Sequence, residues 1–120
     1  MKYALLIYGE EGAWENVTAE ERQAVYARYD AFGKEAEARG IIRGGEELRG
    51  TDSATTVRVR NGETLVTDGP FAETKEQLGG FFLLECDSVD EALEMAAKIP
   101  GAENGAIEVR PVLTQDDHAH

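Results

Sequence analysis

Histidine is almost missing from this 120-residue chain: the two it has, His118 and His120, lie within its last three residues. No Ser-His-Asp or Cys-His arrangement can therefore be built on an ordered core. A metal site away from the tail would have to be all-carboxylate, which suits hard cations at best. The tail cluster of Asp116, Asp117, His118 and His120 offers only weak ligands on a loose stretch of chain. Neither a metal nor a cofactor is expected. The one cysteine, Cys86, cannot close an internal disulfide, and the chain reads as a protein of a reducing cytoplasm. Nothing near Cys86 in sequence would lower its pKa, so it reads as a small buried hydrophobe. Cations are half as numerous as anions, 12 against 24, for a net charge of −12. That sign repels phosphate backbones and anionic lipid and argues against nucleic acid or a membrane surface as the main partner. No apolar run reaches the length that spans a bilayer. The apolar start, Met1 to Tyr8, is too short for a signal-peptide core, and no small-residue cleavage site follows it. The paired glycines match neither a P-loop nor a dinucleotide fingerprint.

What is present is the pattern of an α+β domain. The length suits one domain, and 42% hydrophobic residues suffice for a core without staples. Tyr3 to Tyr8 is a continuous apolar run and predicts a buried central strand. Gly9 to Val17 is acidic and irregular and reads as a loop. Thr18-Ala19-Glu20-Glu21 is a capping box, and Val25, Tyr29, Phe32 and Ala36 follow on one helical face up to a stop at Gly40. Ile41 to Leu48 predicts a strand whose Gly44-Gly45 pair marks a bulge or a close backbone approach. Thr55–Arg60 and Glu63–Thr67 flank Asn61-Gly62, a type I′ hairpin signal that sets Arg60 against Glu63 and Val57 against Val66. Gly79 to Cys86 is a second near-continuous apolar strand. A second box, Ser88-Val89-Asp90-Glu91, opens a helix with an apolar face of Val89, Ala92, Ala96 and Ile99, Leu93 beside it, ending at Pro100-Gly101. Ile107 to Leu113 is a last strand, placed at an edge or strand end by Pro111.

The order strand, helix, strand, hairpin, strand, helix, strand is a split β-α-β duplication with an inserted hairpin, ferredoxin-like, over residues 1–113, with a polar, flexible tail at 114–120. Both the first strand and the Phe81–Leu84 stretch carry large apolar groups on both faces. Two helices cover one face, so the other is most economically buried against a second copy, which predicts a two-fold homodimer.

Chemistry concentrates between two strands, in Thr67-Asp68-Gly69-Pro70-Phe71-Ala72-Glu73-Thr74-Lys75-Glu76. Either this is a solvated connection whose charges pair with each other, or Glu73 and Lys75 project into a common cavity as base and anion-binding group. Tyr8, Glu10 and Trp14, just after the first strand, are a second candidate, with packing as the alternative reading.

The stretch Asp68-Gly69-Pro70-Phe71, continued by Ala72 to Glu76 and followed by Leu78-Gly79-Gly80-Phe81-Phe82, resembles the signature of the DGPF subgroup of the YCII-related family. Met1 to Tyr8, Asp90-Glu91-Ala92-Leu93 and Ile107 to Val112 are similar to that family too, so the resemblance runs from Met1 to about Val112. It implies a ferredoxin-like fold that dimerises through its sheets into an α/β barrel, in bacterial proteins mostly without an established reaction. Some of these are encoded beside, or fused to, extracytoplasmic-function sigma factors. A related branch includes a dehydrochlorinase thought to use a His-Asp pair, which has no counterpart in this chain because both histidines lie outside the matched region. The resemblance marks Asp68, Gly69, Pro70, Phe71, Glu73, Lys75 and Glu76.

Three roles for the segment follow. In the first it serves a cofactor-free enzyme or small-molecule-binding protein, for a proton-transfer, lyase-like or hydrolytic step. Asp68 or Glu73 is then general base or acceptor, and Lys75, with Arg110, holds an anionic group or developing oxyanion. Phe71 is an apolar wall, and Glu76 and Tyr8 complete the substrate contacts. In the second it docks a protein partner such as a transcription regulator, with the −12 charge suiting a basic surface. In the third an Asp68–Lys75 ion pair fixes the loop.

Overall fold

A computed structural model describes residues 1–118, apart from the side chains of Trp14 and His118. Of the tail histidines weighed as metal ligands, His120 and the side chain of His118 thus lie outside what is described. The elements are β1 (Lys2–Gly9), α1 (Ala19–Ala38), β2 (Ile42–Glu47), β3 (Thr55–Arg60), β4 (Glu63–Asp68), β5 (Gln77–Glu85), α2 (Val89–Ala96), α3 (Gly101–Asn104), β6 (Ala106–Pro111) and α4 (Gln115–His118). The acidic loop after β1 holds one 3-10 turn, Glu11–Trp14, and the connection before β3 holds another, Thr51–Ser53.

Four strands form an antiparallel sheet in the order β2-β5-β1-β6, and β3 and β4 pair as a separate ribbon. This α+β arrangement is compatible with a ferredoxin-like fold. The two most apolar strands, β1 and β5, are the central ones. Pro111 sits on β6, an edge strand, where its missing N–H costs no ladder bond. The β2 ladder shifts register between Ile42 and Gly44, as a glycine-marked bulge would.

Alternation along β1 and β5 divides their side chains between the two sheet faces. Tyr3 and Leu5 face the helices opposite Leu84 and Phe82, while Leu6 lies on the other face opposite Phe81, next to Leu83. The helix-side set joins Phe32 and Ala36 of α1 with Ala92, Met95 and Ala96 of α2 in one core, and Phe32 stacks tilted on Phe82 at 4.6 Å between ring centroids. Cys86 is in that core, and burial pushes its thiol pKa up, so it packs as a hydrophobe. Both expected capping bonds form: the Glu21 amide donates to Thr18 Oγ1 and the Glu91 amide to Ser88 Oγ. The helix face of α2 differs from expectation. Met95 is fully buried, whereas Val89 and Leu93 are exposed. At 100° per residue the buried stripe is Ala92, Met95, Ala96 and Ile99, and Leu93 points a quarter-turn away. A third cap lies inside the stretch expected to be a loose tail: Thr114 and Asp117 bond reciprocally at the start of α4, at 2.8 and 3.3 Å.

The two long-range helix partners are also tied by charge. Arg39 and Lys98 sit among Glu35, Glu91 and Glu94, with Arg39 Nη2 2.8 Å from Glu94 Oε1. Lys98 holds the Glu35 carboxyl below the usual carboxylate range, and Arg39 does the same for Glu94. A depressed folded-state pKa contributes stability that is complete above the ordinary carboxylate pKa and is lost as pH falls through the depressed one. The Tm difference between wild type and Arg39→Gln is therefore largest at neutral pH and shrinks on acidification below the carboxylate range, which a calorimetric pH series reads directly. Leu84, with no exposed surface, lies under both helices; Leu84→Ala costs about 3 kcal/mol in urea unfolding.

Candidate functional site

The β3–β4 hairpin forms in the expected register, Arg60 opposite Glu63 and Val57 opposite Val66, around Asn61 and Gly62 at φ 52° and 80°. It hands the chain directly to the motif. Asp68, the last residue of β4, pairs with Thr55. Gly69 then turns with φ +97°, a conformation other residues adopt only with strain. Its N–H donates to the Ala54 carbonyl at 2.8 Å and its own carbonyl accepts from Thr56 Oγ1 at 2.7 Å. The glycine of the motif is thus the closure of the hairpin's base. Gln77, which no sequence motif singles out, holds the rest: its side-chain amide donates to the carbonyls of Thr74 (2.9 Å) and Ala72 (3.3 Å), and Thr74 Oγ1 donates to the Glu76 carbonyl. Only a side chain-to-backbone pattern marks Gln77, and no spacing rule detects that.

The charged groups of the segment are exposed. Lys75 is 84% exposed and pairs with Glu10 at 3.3 Å, not with Asp68. Such a pair contributes little to stability and leaves the ammonium available to solvent. Asp68, Glu73 and Glu76 are exposed, and the Phe71 ring is 78% exposed. Tyr8 lies opposite Leu78 at the start of β5, next to Gln77, so it is at the same end of the sheet as Lys75 and Glu10. Arg110 is not. It lies opposite Ala4, four strand residues or about 13 Å from the level of Tyr8, and pairs with Glu108 on its own strand at 3.2 Å.

Beside this end of the sheet the structure opens a cleft of about 1240 Å³. Its floor is Ile7–Gly9, Glu46–Leu48 and Gln77–Phe82; its roof is Val25, Tyr26 and Tyr29 of α1; Pro100, Gly101 and Glu103 to Gly105 close the side. The helix stripe reads as uniformly core-facing in sequence, yet only its C-terminal half, Phe32 and Ala36, is buried. Close backbone packing shapes the floor: a Cβ on Gly80 would meet the Glu46 carbonyl oxygen at 2.7 Å. The walls are braced. Arg28 donates twice to Glu103 at 2.8 Å, joining α1 to α3 and holding the Glu103 carboxyl low. Glu11 accepts from the Thr51 amide and hydroxyl, both at 2.7 Å, joining the two 3-10 turns. Tyr26 donates to Glu47 at 3.1 Å, and that carboxylate pushes the phenol pKa up. Burial raises that of Tyr29, with the Gly101 amide opposing it. Among the described residues no three His, Cys, Asp or Glu side chains converge as a metal-holding group.

Glu10 and Gln77 belong to both structures. Each lines the cleft, and each is bonded to the motif segment. The segment is therefore fastened to the edge of the cleft at two points, although none of Asp68 to Glu76 is among the residues that line it. Gly69→Ala forces a side chain into the left-handed region; about 1 kcal/mol of stability is lost, read as a lower urea midpoint, with hydrogen exchange accelerated in β3 and β4 before β1 and β5.

A family model, the YCII-related domain, matches residues 1–115. An uncharacterized protein of Rhizobium meliloti (strain 1021) is 41% identical over 114 residues, covering 93% of this chain and 92% of that protein. No helix among the described residues is long and apolar enough to cross a membrane. The chain belongs to the YCII-related family.

Proposed function

We propose that this YCII-related protein, of the DGPF kind by its Asp68-Gly69-Pro70-Phe71 stretch, binds a small molecule in the cleft under α1 and acts on it without a cofactor. The observation that carries this is the junction at Glu10, a carboxylate that lines the cleft and pairs with Lys75 of the motif. An exposed ammonium held at a cleft mouth by one weak pair is free to turn to an anionic ligand group or a developing oxyanion. Asp68 and Glu73 follow on the same rim as general base or acceptor, Glu76 as a further polar contact, and Phe71 as an apolar wall once a ligand or second chain covers it. A proton-transfer, lyase-like or hydrolytic step fits this set.

The protein acts as a homodimer in this reading, covering the sheet face that carries Leu6, Phe81 and Leu83. Tyr8 and Arg110 share that face, and a second sheet closing over it as a barrel brings Arg110 into an enclosed space. A second reading rests on Phe71: an aromatic ring this exposed on a braced loop suits a non-catalytic module that docks a protein partner, such as a regulator of sigma-factor type.

Native mass spectrometry of protein purified from its own host separates the two. The binding reading expects a retained small-molecule mass on the wild type, with Lys75→Met lowering its occupancy about tenfold, or 1.4 kcal/mol, while the subunit count is unchanged. A wild type that carries no added mass, or a Lys75→Met variant that retains it fully, overturns the binding roles of the rim residues and favours the docking module.

A further inference from the structure

The chain exposes more surface than its mass requires. A compact monomer of this size exposes roughly 6400 Å², whereas this one exposes 8586 Å². The excess is about 2200 Å², inside the range that one protomer of an obligate homodimer buries. The radius of gyration agrees: it is 16.7 Å, against about 13.6 Å for a compact chain of this length. The body is a plate, 49 × 48 × 18 Å.

The β3–β4 hairpin contributes to that exposure: every residue of its two strands except Thr56 is exposed. It is a two-stranded ribbon outside the main sheet, and such a ribbon is marginal in water by itself. Its register puts Val57, Val59 and Val66 on one face, 60%, 59% and 64% exposed, and Arg58 and Arg60 on the other. A β-branched face left in solvent on a paired ribbon is an association surface. Charge identifies what it meets. In residues 55–68 the two arginines cancel Glu63 and Asp68, so the ribbon is neutral while the remainder of the chain carries the full −12. Two such acidic bodies repel each other, and a neutral apolar arm is the piece of each that reaches the other at least electrostatic cost.

We infer that the β3–β4 hairpin is an arm that clasps a second copy of this chain through its Val57, Val59 and Val66 face. This rests on the homodimer reading above and adds the element that makes the contact. It also ties assembly to the site, because Gly69, which closes the base of the arm through Ala54 and Thr56, opens the rim segment. Docking of the arm on the partner then sets where Asp68 to Glu76 stands over the cleft.

Sedimentation equilibrium on the full chain, combined with hydrogen exchange, tests this. The expected result is a dimer whose β3 and β4 amides are protected, and a Val57→Lys/Val66→Lys variant that dissociates about 100-fold more readily. In that variant the arm loses its protection while β1 and β5 keep theirs. Val57→Thr/Val66→Thr keeps strand propensity and removes apolar surface; about a tenfold weaker dimer is expected from it should the lysine variant fail to fold. Arg58→Gln, on the opposite face, leaves the constant within about threefold. A wild type that is dimeric with an arm exchanging as a free hairpin, or valine-face variants as tight as wild type, overturns the clasp and leaves the homodimer standing. A monomeric wild type overturns both.

Discussion

Two helices lie on one face of a four-stranded sheet whose central strands are apolar on both. The pairing of β1 with β5 is the contact on which the rest depends. It sets Leu5 and Leu84 under the helices as part of the buried centre, and by strand alternation it sends Leu6, Phe81 and Leu83 to the opposite face. Burying large side chains on one face of a strand cannot be separated from presenting their neighbours on the other. The same chain therefore carries a well-packed core on one sheet face and half-buried large side chains on the other, and both come from the composition of two strands.

The cleft and the motif are consequences of how the helix layer ends. The C-terminal half of α1 is seated by Phe32 and Ala36 and anchored to α2 by the Arg39 and Lys98 network. Tyr29 packs at the edge of the core, and the N-terminal half before it is tied to its neighbours by the Arg28–Glu103 pair and the Tyr26–Glu47 bond. Polar braces at the periphery and apolar packing at the centre hold a gap open at one end of the sheet. The Asp68–Glu76 segment runs past that gap, and Gln77 and Glu10 fasten it there.

Local signals were legible wherever the physics is local. The capping boxes at Thr18 and Ser88, the Asn61-Gly62 turn with its cross-strand pairs, and the edge position of Pro111 all depend on residues a few positions apart. The α2 face departs from its sequence pattern at Val89 and Met95 because which flank of a stripe is buried depends on where the sheet lies. The partners of the candidate residues were not legible. Lys75 reaches Glu10 rather than Asp68, Gln77 rather than a charged residue organises the segment, and Arg110 stands about four strand residues from Tyr8 along the sheet.

The amino-acid sequence by itself determined the six strands and the two main helices, their order, the two-faced central strands and the family, because periodicity, capping and turn chemistry act within a few residues and are written in residue types. Only the tertiary structure decided that a cleft of about 1240 Å³ opens between the start of α1 and the sheet, and that Glu10 and Gln77 tie the motif segment to its edge. Those outcomes depend on contacts between residues about 20 to 75 positions apart, such as Tyr26 with Glu47 and Arg28 with Glu103. Contacts at that range are set by the packing of whole elements, and no local pattern encodes the distance between them.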